Sequence, residues 1–103
     1  MTLGNSLKEK NIKLSEEKKF YADIERKNFL DRLRSYVEFY IENSRAETDT
    51  ICIHTYSVLP QITFGNVDFT MLVREFCKQE DLIFEGTCLV DQKVHYKLKL
   101  KKE

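Results

Sequence analysis

Glycine and proline are scarce in this sequence, and tryptophan is absent. The three glycines among 103 residues form no phosphate-cradling pattern such as G-x-x-x-x-G-K-[ST], which excludes that type of nucleotide-binding loop. The carboxylates are numerous but scattered along amphipathic segments. No pattern marks a nucleophile with an orienting base and an oxyanion site. We therefore expect no enzymatic activity, no catalytic residue, no cofactor and no small-molecule substrate.

Cysteine is equally sparse. Cys52, Cys77 and Cys88 are odd in number and widely spaced, which fits neither a disulfide framework nor a C-x-x-C metal knuckle. A tetrahedral site can be drawn from four side chains, Cys52, His54, Cys88 and His95. Because their spacing matches no standard ligand pattern, we predict no metal site. The three cysteines are expected to be reduced and packed as small apolar side chains, as in a cytoplasmic protein.

Long apolar runs are missing as well. No stretch approaches the roughly 20 apolar residues that a membrane-spanning helix needs. The first ten residues contain no apolar run of signal-peptide length. A chain of 103 residues suits one domain with a thin core. We expect a cytoplasmic protein with no membrane partner, made of a flexible basic arm over residues 1–14 and a single domain over residues 15–103.

Charge is abundant and unevenly distributed, although the formal net charge is zero. Residues 1–34 contain nine Lys or Arg against six acids, and residues 93–103 contain five lysines against one acid. The middle of the chain, residues 35–92, has three basic residues against ten acids. Basic ends around an acidic middle favour a polyanionic partner, although a solvated surface must also carry charge somewhere.

Hydrophobic periodicity predicts an α+β fold: a long N-terminal helix, a second helix and a small antiparallel sheet that ends in a β-hairpin. The predicted elements are a helix from the N-cap Ser15 to Asn43–Ser44, a central strand Thr50–Val58, a helix Val67–Glu80 capped by Asn66, and strands Leu82–Val90 and Lys93–Lys101. Phe64–Asn66 is predicted to be a turn, as is Asp91–Gln92. The segment Leu59–Ile62 is ambiguous between a short helix and a bend.

The predicted long helix exceeds what a domain of this size needs for its own core. Its first half carries apolar side chains that would remain exposed in a monomer, which is unfavourable for a free protein. We therefore predict a homodimer through this helix, with an interface formed by Phe20, Tyr21, Ile24 and Phe29.

The last strand alternates strictly between apolar and basic residues. Val94, Tyr96, Leu98 and Leu100 are predicted to face the core, and the opposite face carries Lys93, His95, Lys97, Lys99 and Lys101, followed by Lys102. Residues i and i+2 of a strand are about 6.5–7 Å apart, which suits successive phosphates of a nucleic acid. The alternative is that these lysines protect an edge strand from aggregation.

The order helix, strand, possible short helix, helix and hairpin resembles that of winged helix-turn-helix DNA-binding proteins over about residues 19–102. More loosely, the composition resembles the small TcpK-type accessory proteins of clostridial conjugative plasmids, which act at a transfer origin. The resemblance implies a wing over Leu82–Lys102 and a recognition helix over Val67–Glu80. It also implies DNA contacts from Asn66, Thr70, Arg74 and Lys78.

The predicted recognition helix departs from this family because its net charge is negative, whereas such helices are usually basic. Contacts with phosphates are therefore assigned mainly to the hairpin lysines, with Gln92 at the tip as a possible reader of a base edge. Basic residues near the N-terminus are added to this set: Lys8, Lys10 and Lys13.

Two functions follow from the sequence. The first is a DNA-binding accessory or regulatory protein that contacts double-stranded DNA at a plasmid transfer origin or an operator. The second is a non-enzymatic protein–protein adaptor or inhibitor, encoded by a mobile element, that docks its acidic middle on a basic protein. In that reading, the important residues are Glu75, Glu80 and Asp81.

Overall fold

A computed structural model describes residues 2–61, 63 and 67–101 of the chain. It confirms the α+β class, with a long N-terminal helix, shorter helices and a three-stranded antiparallel sheet that ends in a hairpin. The elements are α1 (Leu3–Asn43), β1 (Thr50–His54), α2 (Thr55–Val58), α3 (Phe69–Gln79), β2 (Leu82–Val90) and β3 (Lys93–Leu100). The turn predicted at Phe64–Asn66, Asn66 itself and Lys102 lie outside the described residues.

Helix α1 begins much earlier than predicted. The Thr2 hydroxyl accepts a hydrogen bond from the backbone N–H of Asn5 at 3.2 Å, so Thr2 is the N-cap and the prediction of Ser15 is wrong. Residues 3–14 contain no proline and several strong helix formers, which lets the helix continue through the segment predicted as a flexible arm. With 41 residues, α1 is about 62 Å long.

Only the C-terminal half of α1 packs on the domain. Its buried positions are spaced by three or four residues, as expected for one helical face: Ala22, Glu25, Phe29, Leu33 and Val37. Residues 2–21 are all exposed. The N-terminal half therefore projects from the domain, which gives the molecule extents of 68 × 31 × 21 Å.

Strand β3 is the centre of the sheet, in the order β1-β3-β2. Both neighbours pair with it antiparallel, with Ile53 opposite Tyr96 on one side and Phe84 opposite Leu98 on the other. The prediction that β1 is central is therefore wrong. Because β3 has no free edge, its lysines do not serve as edge protection, and that alternative is also wrong.

Strand β1 is shorter than predicted because the chain turns into α2 after His54. The Thr55 hydroxyl donates to the carbonyl of Val94 at 3.2 Å, and the backbone N–H of Leu59 donates to the carbonyl of Thr55 at 2.9 Å. The carbonyl of Val94 in β3 thus accepts a hydrogen bond from the side chain of Thr55. If β1 continued, a backbone N–H would make this hydrogen bond. The predicted strand over Thr55–Val58 is therefore wrong.

Helix α3 is capped by Asp68, whose carboxylate accepts a hydrogen bond from the backbone N–H of Met71 at 3.1 Å. The predicted start at Val67 is therefore slightly too early. The buried face of α3 contains Val73, Phe76 and Cys77, which join the core under the sheet. This packing fixes α3 beside β2, its main neighbour in the sheet.

The C-terminal hairpin has the predicted first strand and the predicted turn, and its second strand ends at Leu100, one residue earlier than predicted. Asp91 and Gln92 both have positive φ, 51° and 66°, as a two-residue type I′ turn requires. An irregularity lies between Phe84 and Thr87, where Gly86 adopts a φ of 90°. Glycine tolerates that backbone conformation at little cost, so a bulge forms there.

Candidate nucleic-acid interface

The basic side chains of β3 lie on the solvent face of the sheet, opposite the core. Tyr96 and Leu98 are buried beneath the sheet, so the alternating positions, Lys93, His95, Lys97 and Lys99, face away from the helices. Because β3 is central, this lysine row runs along the middle of an open face. Lys101 continues the row beyond the last residue of β3 and is exposed.

Glu85 partly neutralises this row. Its carboxylate lies 3.3 Å from the Nζ of Lys97 and 3.6 Å from the Nζ of Lys99. All three side chains are about one-third exposed, so each ion pair contributes little to stability. A phosphate that binds either lysine must compete with Glu85.

The bulge at Gly86 explains why sequence reasoning missed Glu85. If the two strands paired without a bulge from the turn onwards, Glu85 would lie opposite Leu98, on the core face of the sheet. The observed register sets Phe84 opposite Leu98 instead. Glu85 therefore moves to the solvent face beside the lysines. The adjoining glycine was the only sequence signal for this shift.

Residues 89–94, which form the hairpin tip, are all exposed. Gln92 and Lys93 are among these exposed residues, so both can reach a ligand. Val94 and Leu100 are also exposed, so the prediction that they belong to the core is wrong. Leu89, the partner of Val94 across the hairpin, is 73% exposed, which shows that no described element covers this part of the sheet.

A second basic region lies where α3 meets β2. Arg74 and Lys78 of α3 and Lys101 line one shallow depression of about 380 Å³, together with apolar side chains of Cys77, Leu82, Ile83 and Phe84. None of these lining residues is acidic. Arg74 and Lys78, two of the residues predicted to contact DNA from the helix, thus line the same depression as Lys101.

The remaining surface of α3 is less suitable for contact with phosphates. Thr70 is exposed at its start and Glu75 is exposed near its middle. Glu80 is partly neutralised by an ion pair with Arg34, whose guanidinium lies 5.5 Å from the centre of the Phe76 ring. Hydrogen bonding and attraction to Glu80 raise the pKa of Arg34 above its ordinary value. The adaptor hypothesis needs an exposed acidic surface. The ion pair of Glu80 makes that surface smaller than the sequence indicates.

The predicted N-terminal contacts are separate from the lysine row. Lys8, Lys10 and Lys13 are exposed on the projecting half of α1. The first buried residue of this helix is Ala22, about 13 Å further along its axis than Lys13. These three lysines therefore lie beyond the part of α1 that packs on the domain.

The predicted dimer interface is only partly available. Phe20, Tyr21 and Ile24 are 62%, 42% and 40% exposed. Phe29 is fully buried within one chain, where its ring centre lies 4.9 Å from that of Phe69. The assignment of Phe29 to an interface is therefore wrong, because its side chain already belongs to the core.

The cysteines and histidines of the sheet approach one another on the solvent face. The Sγ atoms of Cys52 and Cys88 are 4.0 Å apart, and the rings of His54 and His95 are 5.1 Å apart. No group of three or more such side chains in the described part of the chain is arranged to hold a metal ion. Cys77 is not part of this solvent-face group, because it is buried in the core, where desolvation raises the pKa of its thiol to about 11.

The cysteine packing differs from the prediction. Cys77 is buried in the core as expected, whereas Cys52 is exposed, so its assignment as a packed apolar side chain is wrong. Desolvation raises the pKa of Cys52, and the nearby Cys88 thiol adds to this effect.

Comparisons with protein-family models, with curated proteins and with solved structures gave no match for this chain. Within the described residues, no helix has both the length and the apolar character needed to cross a bilayer.

Proposed function

We propose that this chain binds double-stranded DNA as an accessory or regulatory protein, at a plasmid transfer origin or an operator. The proposal depends chiefly on one observation: the basic side chains of β3 form a row on an open sheet face, and Lys101, just beyond the end of β3, lines the depression beside α3 together with Arg74 and Lys78. A protein that neutralises several phosphates gains affinity from the counterions released.

The geometry suggests how a duplex would lie. Lys93 and Lys101 mark the two ends of the row, about 27 Å apart along an extended strand. Neither has an ion-pair partner among the described residues, so both are free for phosphates. Lys97 and Lys99 lie between them, shared with Glu85. Arg74 and Lys78 then hold the backbone that passes beside α3.

The element order supports a winged-helix arrangement. A helix, a strand, two helices and a hairpin follow one another, with the hairpin strand β3 between β1 and β2. In that arrangement, α3 is the recognition helix and the hairpin is the wing. The hairpin tip would position Gln92 against a groove. A homodimer would present two such surfaces to two half-sites.

The direct test uses Lys93→Gln with Lys101→Gln, because both side chains are exposed and their loss breaks no ion pair of the described residues. Each phosphate contact contributes about 0.9 to the slope of log affinity against log salt. The double variant should therefore lower the magnitude of that slope by about 1.8 and weaken binding at low salt.

The matched control is Lys19→Gln with Lys27→Gln, which removes the same charge from exposed positions of α1. The control should bind as the unmodified chain does. Equal weakening by both variants would mean that net charge matters and the lysine row does not. If neither variant changes binding to DNA, the sheet face is not the interface.

The adaptor function makes the opposite prediction. Glu75→Gln with Asp81→Asn would then disrupt the relevant complex, and the lysine variants would have no effect. Both acids are exposed, and they differ from Glu80 in that no ion pair with a described residue neutralises them.

A further inference from the structure

The projecting half of α1 and the turn after it carry a stripe of exposed side chains, most of them apolar. Residues 2–21 are all exposed, and so are the large apolar side chains along them. Alternating steps of four and three residues connect the positions of the stripe, which are Leu3, Leu7, Lys10, Leu14, Glu17, Tyr21 and Ile24. This alternation is the heptad repeat of a two-stranded coiled coil. The stripe covers roughly 22 residues, or about 33 Å.

We infer that a second copy of this chain packs on the stripe with the two helices antiparallel. In a pair centred near Leu14, the start of each stripe meets the end of the other. Leu3 then lies near Ile24 of the partner subunit. Leu7 lies near Tyr21 of the partner subunit, so the apolar ends of the two stripes cover each other.

The two charged positions of the stripe favour this orientation. In an antiparallel pair, Lys10 lies within about one helical turn of Glu17 of the partner subunit, and the attraction occurs twice by symmetry. A parallel pair in register would set Lys10 beside the partner's Lys10, and Glu17 beside the partner's Glu17. Like charges at seam positions oppose that arrangement.

This inference deepens the homodimer part of the proposed function and does not depend on DNA binding. Self-association is measured without DNA, and the lysine row on β3 is not part of the stripe. Failure of the inference would leave binding by the sheet face open, and failure of DNA binding would leave the dimer open.

The test is sedimentation equilibrium of the full chain and of charge variants. The unmodified chain should reach twice its 12.3 kDa mass with a dissociation constant below about 100 µM. Lys10→Glu should weaken the dimer about tenfold, because two attractive pairs become repulsive. Adding Glu17→Lys to that variant should restore the original affinity. The matched control Lys19→Glu, on the far side of the helix, should have no effect.

A second variant tests the apolar stripe itself. Leu14→Lys should weaken the dimer by about a hundredfold, since two buried leucines per dimer are lost. Circular dichroism should show an unchanged helix, because Leu14 is exposed in the single chain. A chain that stays monomeric up to about 100 µM overturns the inference. An unchanged affinity for Lys10→Glu, or no recovery in the double variant, overturns the antiparallel orientation.

Discussion

Replacing Glu85 by glutamine is expected to strengthen duplex binding. The carboxylate lies 3.3 Å from the ammonium of Lys97 and 3.6 Å from that of Lys99, so it occupies two groups that phosphates would use. Glutamine keeps the size of the side chain and removes its charge. Both lysines then become fully available on the solvent face of the sheet.

The magnitude follows from the charge of Glu85. A phosphate on Lys97 would lie about 7 Å from the carboxylate, and Coulomb's law gives a repulsion of about 0.6 kcal/mol in bulk water and about 2.4 kcal/mol at an effective dielectric constant of 20. A value near 1 kcal/mol corresponds to about fivefold tighter binding. The lost ion pairs are partly exposed, so the free energy of unfolding should fall by less than about 2 kcal/mol.

The assay is fluorescence anisotropy of a labelled duplex at low and moderate salt. Glu42→Gln is the matched control, because Glu42 is an exposed acid on α1 and its loss changes the net charge equally. Tighter binding by Glu85→Gln alone supports contact through the lysine row. Unchanged or weaker binding by a folded Glu85→Gln chain would refute the reasoning, because the freed lysines would then have no role in contact.

Three further predictions concern the fold. Phe29→Ala should lower the free energy of unfolding by about 3–5 kcal/mol in a denaturant titration, because a fully buried ring is lost; a loss under 1 kcal/mol would contradict its place in the core. Asp68→Ala should cost about 1 kcal/mol through the lost N-cap, whereas Asp68→Asn should cost less, as thermal melts can show. At pH 8, Cys52 should react with a thiol reagent in the folded chain because it is exposed, although its raised pKa slows the reaction. Cys77, with its pKa raised to about 11, should react only on unfolding, and equal rates would contradict its burial.

The hairpin was predictable because its signals are local. A two-residue turn at Asp91–Gln92 and strict alternation after it determine both strand boundaries and the face on which Lys97 lies. The alternation does not reveal how far the helices extend beneath the sheet. For this reason the sequence did not predict that Val94 and Leu100, which are both apolar, are exposed in the structure.

The other differences depend on contacts between distant segments. The central place of β3 requires knowledge of which strands pair, and periodicity does not contain that information. The bulge that moves Glu85 beside the lysines depends on one glycine, Gly86. The early start of α1 was missed because the apolar stripe over residues 3–14 is sparse, with Lys10 at one of its positions, although the helix propensity of the segment is good. Phe29 shares its helix with exposed apolar residues, so only packing reveals that it belongs to the core.

Binding of duplex DNA through the lysine row is the proposed function, and a salt titration is its direct test. Purified protein would be titrated into a labelled duplex from the region flanking its own gene, with an unrelated duplex as the control, at several salt concentrations. Binding should prefer the flanking duplex and weaken steeply with salt, with a slope of about 3.6–5.4 in magnitude in log–log form for four to six phosphate contacts. No binding to either duplex at low salt would contradict the account.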